Sequence, residues 1–506
     1  MRFLSINTPQ ALTLSWFENV STFEFIVPIS LKFAILGKMP LPSQIIANKF
    51  KYKPTKGQKN LFKLFDKLLD SNADGRQCLV IRGYAGTGKT TVISALVKVL
   101  PSFNFKQVLM APTGRAAKVM GNYSRKVSFT IHNRIYRQKG DPGSGVFDFH
   151  LQKNHSKNTV FIVDEASMLY DEVDQGKKGL LSDLIYYVFQ DESNRLIMVG
   201  DSAQLPPVSQ RESPGLDVDL LKNKHRLNII QIELTEVMRQ ERESGILYNA
   251  TILRGSLSKD PVVISFQTTG HSDIFRMTNQ RMEDGLRYCY DKYGTKNTIV
   301  VCRSNKQAVQ YNEFIRRQIL LREEEIEVAD VLMNVRNNYY YAPTYSPSGF
   351  IANGDFMEVV KIIDFEEQYD LRFARLELKL LDYDVSETFE ARVVLDTLHS
   401  ESPSMSTDEN KKLYQQIFED YKDLAEAGER KIAVKNDPFL NALQVKYAYA
   451  LTCHKSQGGQ WNAVFIDQGF LNEKMINSEY VRWLYTAVTR ATDALFLVNF
   501  NPSFFK

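Results

Sequence analysis

Cysteine is scarce in this chain. There are four in 506 residues, at Cys78, Cys289, Cys302 and Cys453, with no C-x-x-C pair among them. That spacing argues against a disulfide-stapled scaffold and against a thiolate zinc module, and it fits reduced thiols in a cytoplasmic protein. Long apolar runs are missing too. The stretch "FEFIVPISLKFAILG" is broken by Pro28 and Lys32, and it falls short of the ~20 apolar residues that a spanning helix needs. The opening "MRFLSINTPQ" has too short and interrupted an apolar run for a secretory signal. Acid is absent from one long segment. Between Asp74 and Asp141 there is no Asp or Glu, while Arg76, Arg82, Lys89, Lys98, Lys106, Arg115, Lys118, Arg125, Lys126, Arg134, Arg137 and Lys139 all fall there. A formal net charge of +4 does not by itself imply a polyanionic partner. The segment reads either as a basic face for one or as a solvated surface balanced by acids from elsewhere in the fold.

What is present is an ordinary globular balance, 43% apolar and 24% charged. The length implies roughly two to four domains. Residues 1–48 carry no assignable pattern. From Lys51 the pattern is regular: "GQKNLFKLFDKLL" sets Leu61, Phe65, Leu68 and Leu69 on one helical face. "CLVIRG" reads as a buried strand, followed by a glycine-rich turn and the helix "TTVISALVKVL". The strands "QVLMAPT", "TVFIVDEAS" and "LIMVGDSAQ" follow, each ending in polar residues. Strands and helices alternating in this way predict a parallel α/β sheet with its ligands at the carboxyl ends of the strands. The pattern restarts at "NTIVVCRSN" and resumes in "AVFIDQ", "SEYVRWLYTAVTRA" and "ALFLVNF", so a second α/β half is expected. Each half is interrupted. Asp-Pro-Gly-Ser-Gly lies within a hairpin-like insert at about 136–157. A larger insert spans about 320–445, with alternating stretches "GDFMEVVKIIDF" and "LRFARLELKLLDY" and a charged, helix-like segment from Asp408 to Arg430.

"GYAGTGKTT" fits G-x-x-x-x-G-K-[ST] through Gly83, Gly88, Lys89 and Thr90. Glycines let backbone N–H groups close around phosphates at a helix start, Lys89 adds a charge for the β and γ phosphates, and Thr90 offers its hydroxyl to Mg²⁺. The nucleotide contacts expected are Gly83, Ala85, Gly86, Thr87, Gly88, Lys89, Thr90 and Thr91. In "FIVDEAS", Asp164 is placed to hold Mg²⁺ and Glu165 to activate the attacking water. Gln204 in "GDSAQLPPV" is a candidate γ-phosphate sensor, or else part of a polar loop closed by Pro206 and Pro207. The stretch "LTCHKSQGGQW" sets Cys453 beside His454, a poor spacing for zinc, and no cluster nearby supplies further ligands.

The order of these stretches resembles the superfamily 1B helicases of the RecD-like and Dda-like family over about 52–500. "APTGRAAKVM" is similar to motif Ia, "TIHNRIY" to Ib, "DEAS" and "GDSAQLPPV" to II and III, "LTEVMRQ" to IV, "YALTCHKSQGGQW" to V and "YTAVTRA" to VI. The resemblance implies two RecA-like P-loop NTPase domains, at 49–230 and 231–506, within an α/β fold. It implies a β-hairpin (pin) in the first, and an SH3-like β-barrel with a helical arm in the second, "IANGDFMEVV" being the barrel's opening strand. Gln58 would read adenine, and Arg239 and Arg490 would reach the γ-phosphate from the second domain. Thr113, Arg115, Thr130, His132, Thr452, His454, Lys455 and Ser456 would lie on a single-stranded DNA path, with Phe147 and Phe149 stacking on a base at the fork or stapling the hairpin.

The activity implied is an ATP- and Mg²⁺-dependent DNA helicase moving 5′ to 3′ on forked or tailed duplexes. The alternatives are a translocase that strips proteins from single strands and a nucleotide-switched binding module. A cytoplasmic monomer is expected, with no membrane contact, roles in repair, recombination or replication, and single-strand-binding or repair proteins as further partners.

Overall fold

The computed structural model describes residues 40–70, 72–139, 148–171, 179–208, 210–238, 244–341, 350–381, 387–424 and 426–505. Of the unassigned N-terminal segment, its last residues enter a short helix, Pro42–Lys49. The next helix, Lys56–Leu68, starts where the sequence dictates. The Thr55 hydroxyl accepts from Gln58 N at 3.2 Å, and Gln58 Oε1 accepts from Thr55 N at 3.1 Å, which satisfies two otherwise orphaned donors. Its stripe of Leu61, Phe62, Phe65 and Leu68 is buried.

The first sheet contains β1 (Gln77–Gly83), β2 (Lys106–Ala111) and β3 (Ser128–Thr130). A two-stranded hairpin, β4 (Tyr136–Lys139) with β5 (Asp148–Leu151), leaves it, and the sheet resumes with β6 (Thr159–Val163), β7 (Arg195–Gly200) and β8 (Asn228–Leu234). The order is β3-β2-β6-β7-β1-β8, and every described pairing in it is parallel. Strands β1, β6 and β7 are almost wholly buried, which explains their continuous apolar runs. The outer β8 is exposed or half-buried up to Leu234, its one buried residue, as suits an edge strand.

The second sheet is assembled from distant parts of the chain. It takes β9 (Ile274–Met277) and β10 (Thr298–Cys302) from before the large insert. The insert then supplies β11 (Val331–Asn334), β12 (Phe356–Gln368), β13 (Leu371–Leu380), β14 (Phe389–Val394) and β15 (Leu443–Tyr447), which close into a five-stranded barrel. Strands β16 (Ala450–Thr452), β17 (Trp461–Asp467) and β18 (Ala491–Val498) complete the parallel order β16-β10-β17-β18-β9. The charged segment is helical over Thr407–Asp420 and Ala427–Lys435.

One expectation is corrected. The barrel opens at β11, not in "IANG". There Ile351 makes an isolated bridge to Asn338, and the chain turns before β12 begins at Phe356. The turn is fixed by Gly354 at φ +94° and by the buried Asp355 carboxylate, which accepts from Ala352 N at 2.7 Å.

The barrel is tied to the second sheet by a buried charge cluster. Asp330, fully buried, accepts from Arg316 Nε at 3.0 Å and Nη2 at 2.9 Å, from Glu327 N at 2.8 Å and from the Tyr449 hydroxyl at 2.9 Å. Arg322 adds an ion pair at 2.7 Å. Burial works against the Arg316 charge, but the Asp330 carboxylate outweighs it and holds the guanidinium above its ordinary range. Asp330→Ala leaves buried cations unpaired and is expected to cost about 3–5 kcal/mol. Urea unfolding of the variant checks this, and a loss below about 1 kcal/mol would show that the cluster does not anchor the barrel.

Candidate nucleotide cleft and nucleic-acid channel

The phosphate loop runs from Gly83 at the end of β1 to the start of helix Lys89–Val99. Gly86 and Gly88 take φ values of +73° and +76°. A Cβ at Gly88 would lie 2.6 Å from Gln58 Nε2, so both backbone and space require glycine there. Lys89 Nζ donates to Gly83 O at 2.7 Å and Tyr84 O at 2.9 Å, and the Thr87 hydroxyl donates to Tyr84 O at 2.8 Å. Gln58 is fully buried, with Nε2 donating to Thr87 O at 3.0 Å and Oε1 spent on the helix cap. It braces the loop from beneath; its carboxamide does not lie open to a base.

Asp164 and Glu165 follow β6. Glu165 holds a left-handed backbone, φ +51°, a conformation that side chains other than Gly, Asn and Asp rarely adopt. Its N–H donates to Asp164 Oδ1 at 2.9 Å. Desolvation raises both carboxyls above the ordinary range. For Asp164, the Glu165 N–H and Lys89 oppose the rise. For Glu165, Arg490 opposes it first, Asp164 adds to it, and Lys89 opposes it more weakly. The second-sheet side therefore brings Arg490 close to the Glu165 carboxyl. The Arg490 guanidinium is buried and donates to Thr486 O at 3.0 Å, Gly459 O at 3.1 Å and the Thr489 hydroxyl at 3.1 Å. Gln204 is also buried, and its Oε1 has no hydrogen-bond partner, an orphaned acceptor of the kind that marks a functional position. Arg239 lies outside the described residues.

Sequence reasoning passed over the contacts that join the halves. Helix Ser478–Val488 grips the loop after β7: Thr486 Oγ1 accepts from Leu205 N at 2.9 Å, and Arg482 donates to Ser202 O. Gln457 Nε2 donates to Leu205 O at 2.9 Å. The same helix sends the Tyr485 hydroxyl to Asp201 Oδ2 at 2.6 Å, where it also accepts from Ala85 N at 3.0 Å. On the far side of the seam, Gly458 at φ +74° packs so closely that a Cβ would sit 2.8 Å from Ala116 Cβ.

Beside the cleft lies a cavity of about 1230 Å³. It brings together Thr113, Arg115, Thr130, His132, His454 and Lys455 with Pro207, Val208 and Gln457. Thr452 and Ser456 are not in its wall; Ser456 is buried, with its hydroxyl donating to Cys453 O at 2.8 Å. Phe147 lies outside the described residues, and of Phe149 only its place in β5, opposite Gln138, is described. Thr113 and Thr130 each cap a helix, accepting from Ala116 N and Asn133 N at 3.3 Å. Arg115 lies over the rings of Trp461 at 4.0 Å and Phe356 at 4.6 Å, linking the first sheet's face to the second half. The segment between β11 and β12 adds Arg336, Tyr339 and Phe350 to the wall, and helix Thr407–Asp420 adds Lys411 and Tyr414. No Asp or Glu stands among the described lining residues. The sequence signal for these is weak, because they come from an insert with no phosphate-loop or carboxylate motif of its own.

Two parallel sheets meet here, one carrying a phosphate loop and carboxylate pair, the other an arginine beside that pair. This defines a tandem RecA-like P-loop NTPase. The comparisons narrow the class. A family model described as an AAA domain matches residues 63–260, and one described as a UvrD-like helicase C-terminal domain matches residues 447–498. The chain is similar to an uncharacterised protein of Acanthamoeba polyphaga mimivirus, 24% identical over 85% of this chain and 97% of that protein. It is similar to the ATP-dependent DNA helicase dda of Enterobacteria phage T4, 24% identical over 88% and 99% respectively. It also resembles the ATP-dependent RecD2 DNA helicase of Deinococcus radiodurans, 31% identical over 39% of this chain and 24% of that one. A solved structure of Pif1 helicase from Bacteroides matches at a TM-score of 0.45 and 16% identity, over 90% of this chain and 95% of that one. With its ordered motifs, the chain is similar to superfamily 1B helicases of the RecD-like and Dda-like family. Among the described residues no helix is long and apolar enough to cross a membrane.

Burial lowers the His132 imidazole from 6.5 to about 4. Between these values the unfolded chain takes a proton that the folded site refuses, so stability is lost as pH falls from about 6.5 to about 4. Denaturant midpoints measured across this range should fall less steeply for His132→Gln than for the wild type. Equal slopes would show that His132 titrates as an exposed residue.

Proposed function

We propose that this protein is an ATP-dependent DNA helicase, moving 5′ to 3′ on single-stranded DNA and separating the duplex ahead of it. The observation that carries the reading is the wall of the large cavity. Among its described residues there is no Asp or Glu, and Arg115, Arg336, Lys411 and Lys455 are interleaved with Tyr339, Phe350 and Tyr414. Cations track a phosphate backbone, and aromatic rings stack on unpaired bases whatever their sequence. The loop that carries Asp201 and Gln204 at the nucleotide cleft continues into Pro207 and Val208 of this wall, so a strand and a nucleotide would act on one segment.

In this reading, Gly83, Ala85, Gly86, Thr87, Gly88, Thr90 and Thr91 cradle ATP, with Lys89 on its outer phosphates. Thr90 and Asp164 offer a hydroxyl and a carboxylate, hard oxygen donors suited to Mg²⁺, which when bound neutralises charge on the phosphates. Glu165 takes the proton of the attacking water, while Gln204, Arg239 and Arg490 answer to the γ-phosphate. An arginine supplied in this way contributes roughly 10³–10⁵ in rate. The working units are 49–230 and 231–506, closing on ATP and opening after hydrolysis, in the cytoplasm and without a partner subunit. A nucleotide-switched binding module has no use for an activated water, so Glu165 speaks against it.

The first test is ATP hydrolysis with and without single-stranded DNA, using Lys89→Ala as the inactive control. Glu165→Gln should retain ATP and DNA binding while kcat falls about 10²–10⁴-fold; near-normal turnover would remove Glu165 from the water-activating role. Shortening the β4–β5 hairpin to a tight turn should abolish strand separation on tailed duplexes and spare DNA-stimulated hydrolysis. Unchanged unwinding would mean that the hairpin is not the element that splits the duplex.

A further inference from the structure

The Tyr485 hydroxyl occupies an unusual position. It belongs to helix Ser478–Val488 on the second-sheet side, is 1% exposed, and touches two separate parts of the first half. It accepts from Ala85 N, inside the phosphate loop, at 3.0 Å. It donates to Asp201 Oδ2, at the end of β7, at 2.6 Å. The other oxygen of Asp201 accepts from Ala203 N at 2.9 Å, so this carboxylate also fixes the turn that leads to Gln204. The phosphate loop is thus held from three sides: Ala85 N by Tyr485, Gly86 O by Met238 N at 2.9 Å, and Thr87 O by Gln58 at 3.0 Å. Only the first of these comes from the helix that leads directly to Arg490. A second cation from the same half, Arg254, lies 3.8 Å over the ring of Tyr84, next to Ala85.

We infer that Tyr485 is a positioning residue that registers the arginine-bearing helix against the phosphate loop, so that Arg490 and the Asp201–Gln204 turn reach the γ-phosphate together. Its hydroxyl bonds Ala85 N and Asp201 Oδ2 and does not bond Thr90 or Asp164. It acts by making the loop and the turn share one hydrogen-bonded joint, which forms only when the two halves are closed on each other. Both bonds are short-range and one is charge-assisted, so a small opening of the seam breaks them together. The inference rests on the ATP-driven reading above and adds to it the part that makes closure a condition for turnover.

Tyr485→Phe keeps the ring and removes the hydroxyl, and Asp201→Asn cuts the joint from its other end while keeping the turn's acceptor. In DNA-stimulated hydrolysis each is expected to lower kcat about tenfold or more. The KM for ATP and the affinity for single-stranded oligonucleotide should stay within about twofold of wild type. The double variant should be no worse than the weaker single one, since both break the same joint. A purely structural role would instead spread the losses over kcat, KM and DNA affinity alike, and that result overturns the inference. So does a folded Tyr485→Phe with kcat within twofold of wild type. Should one variant fail to fold, the other tests the same bond. A wild-type protein that hydrolyses no ATP would remove the parent reading along with the inference, whereas normal wild-type turnover with an unaffected folded variant removes the inference alone.

Discussion

The structure depends on the fit of helix Ser478–Val488 against the loop that follows β7. Nearly every residue of this helix from Tyr480 onward is buried, so it behaves as a core element shared by two halves. The half-buried Arg482 and the buried Thr486 bond backbone groups of the facing loop, and the buried Tyr485 bonds a carboxylate. Hydrogen bonds made in such a place are costly to leave unmade. The seam is therefore defined to the length of a hydrogen bond, and the two sheets carry their chemistry up to it: Lys89, Asp164 and Glu165 on one side, Arg490 on the other.

The cations at this seam are held in a particular way. Lys89 donates to the carbonyls of Gly83 and Tyr84, and Arg490 to those of Thr486 and Gly459. Carbonyl dipoles orient a cation without neutralising it, and exchanging one for a phosphate oxygen trades a weaker bond for a charge-assisted one. Desolvation raises the buried carboxyls of Asp164 and Glu165 above their ordinary range, while Lys89 opposes the rise at both and Arg490 opposes it at Glu165. In the large cavity, no Asp or Glu stands among the described lining residues beside Arg115, Arg336, Lys411 and Lys455.

Much of this was legible in the sequence wherever a local rule acted alone. The strands β1, β6 and β7 are buried on both faces, and their apolar runs ended where the functional residues begin. The phosphate loop and the carboxylate pair were readable because glycine, lysine and acid have few substitutes there. Strands β8 and β16 leave little trace in the sequence: one is a half-exposed edge strand, and the other has three residues ahead of a short helix. The start of the barrel was misplaced because a run of apolar residues around Ile351 looks like a strand until Asp355 and Gly354 are seen to turn it. Ser456 was expected on the DNA path, yet its hydroxyl closes a local bond to Cys453 O; spacing gives no warning of which face a hydroxyl will take. Tyr485 was invisible for a different reason: its two partners are Ala85 and Asp201, hundreds of residues away in the chain, and nothing local marks a buried tyrosine as a joint.

The order of strands in the second sheet has a consequence for how the chain comes to be folded at all. Ile274 of β9 pairs with Leu495 of β18, and Val300 of β10 pairs with Ala450 of β16. During vectorial synthesis, β9 and β10 emerge long before the strands that flank them and must wait, apolar and unpaired, while the whole barrel is made. The first sheet has no such delay, since all its strands lie between Gln77 and Leu234. The two halves, alike in architecture, therefore differ sharply in contact order, and the late-closing sheet is the one whose exposed edges need protection from aggregation until the last stretch of chain arrives.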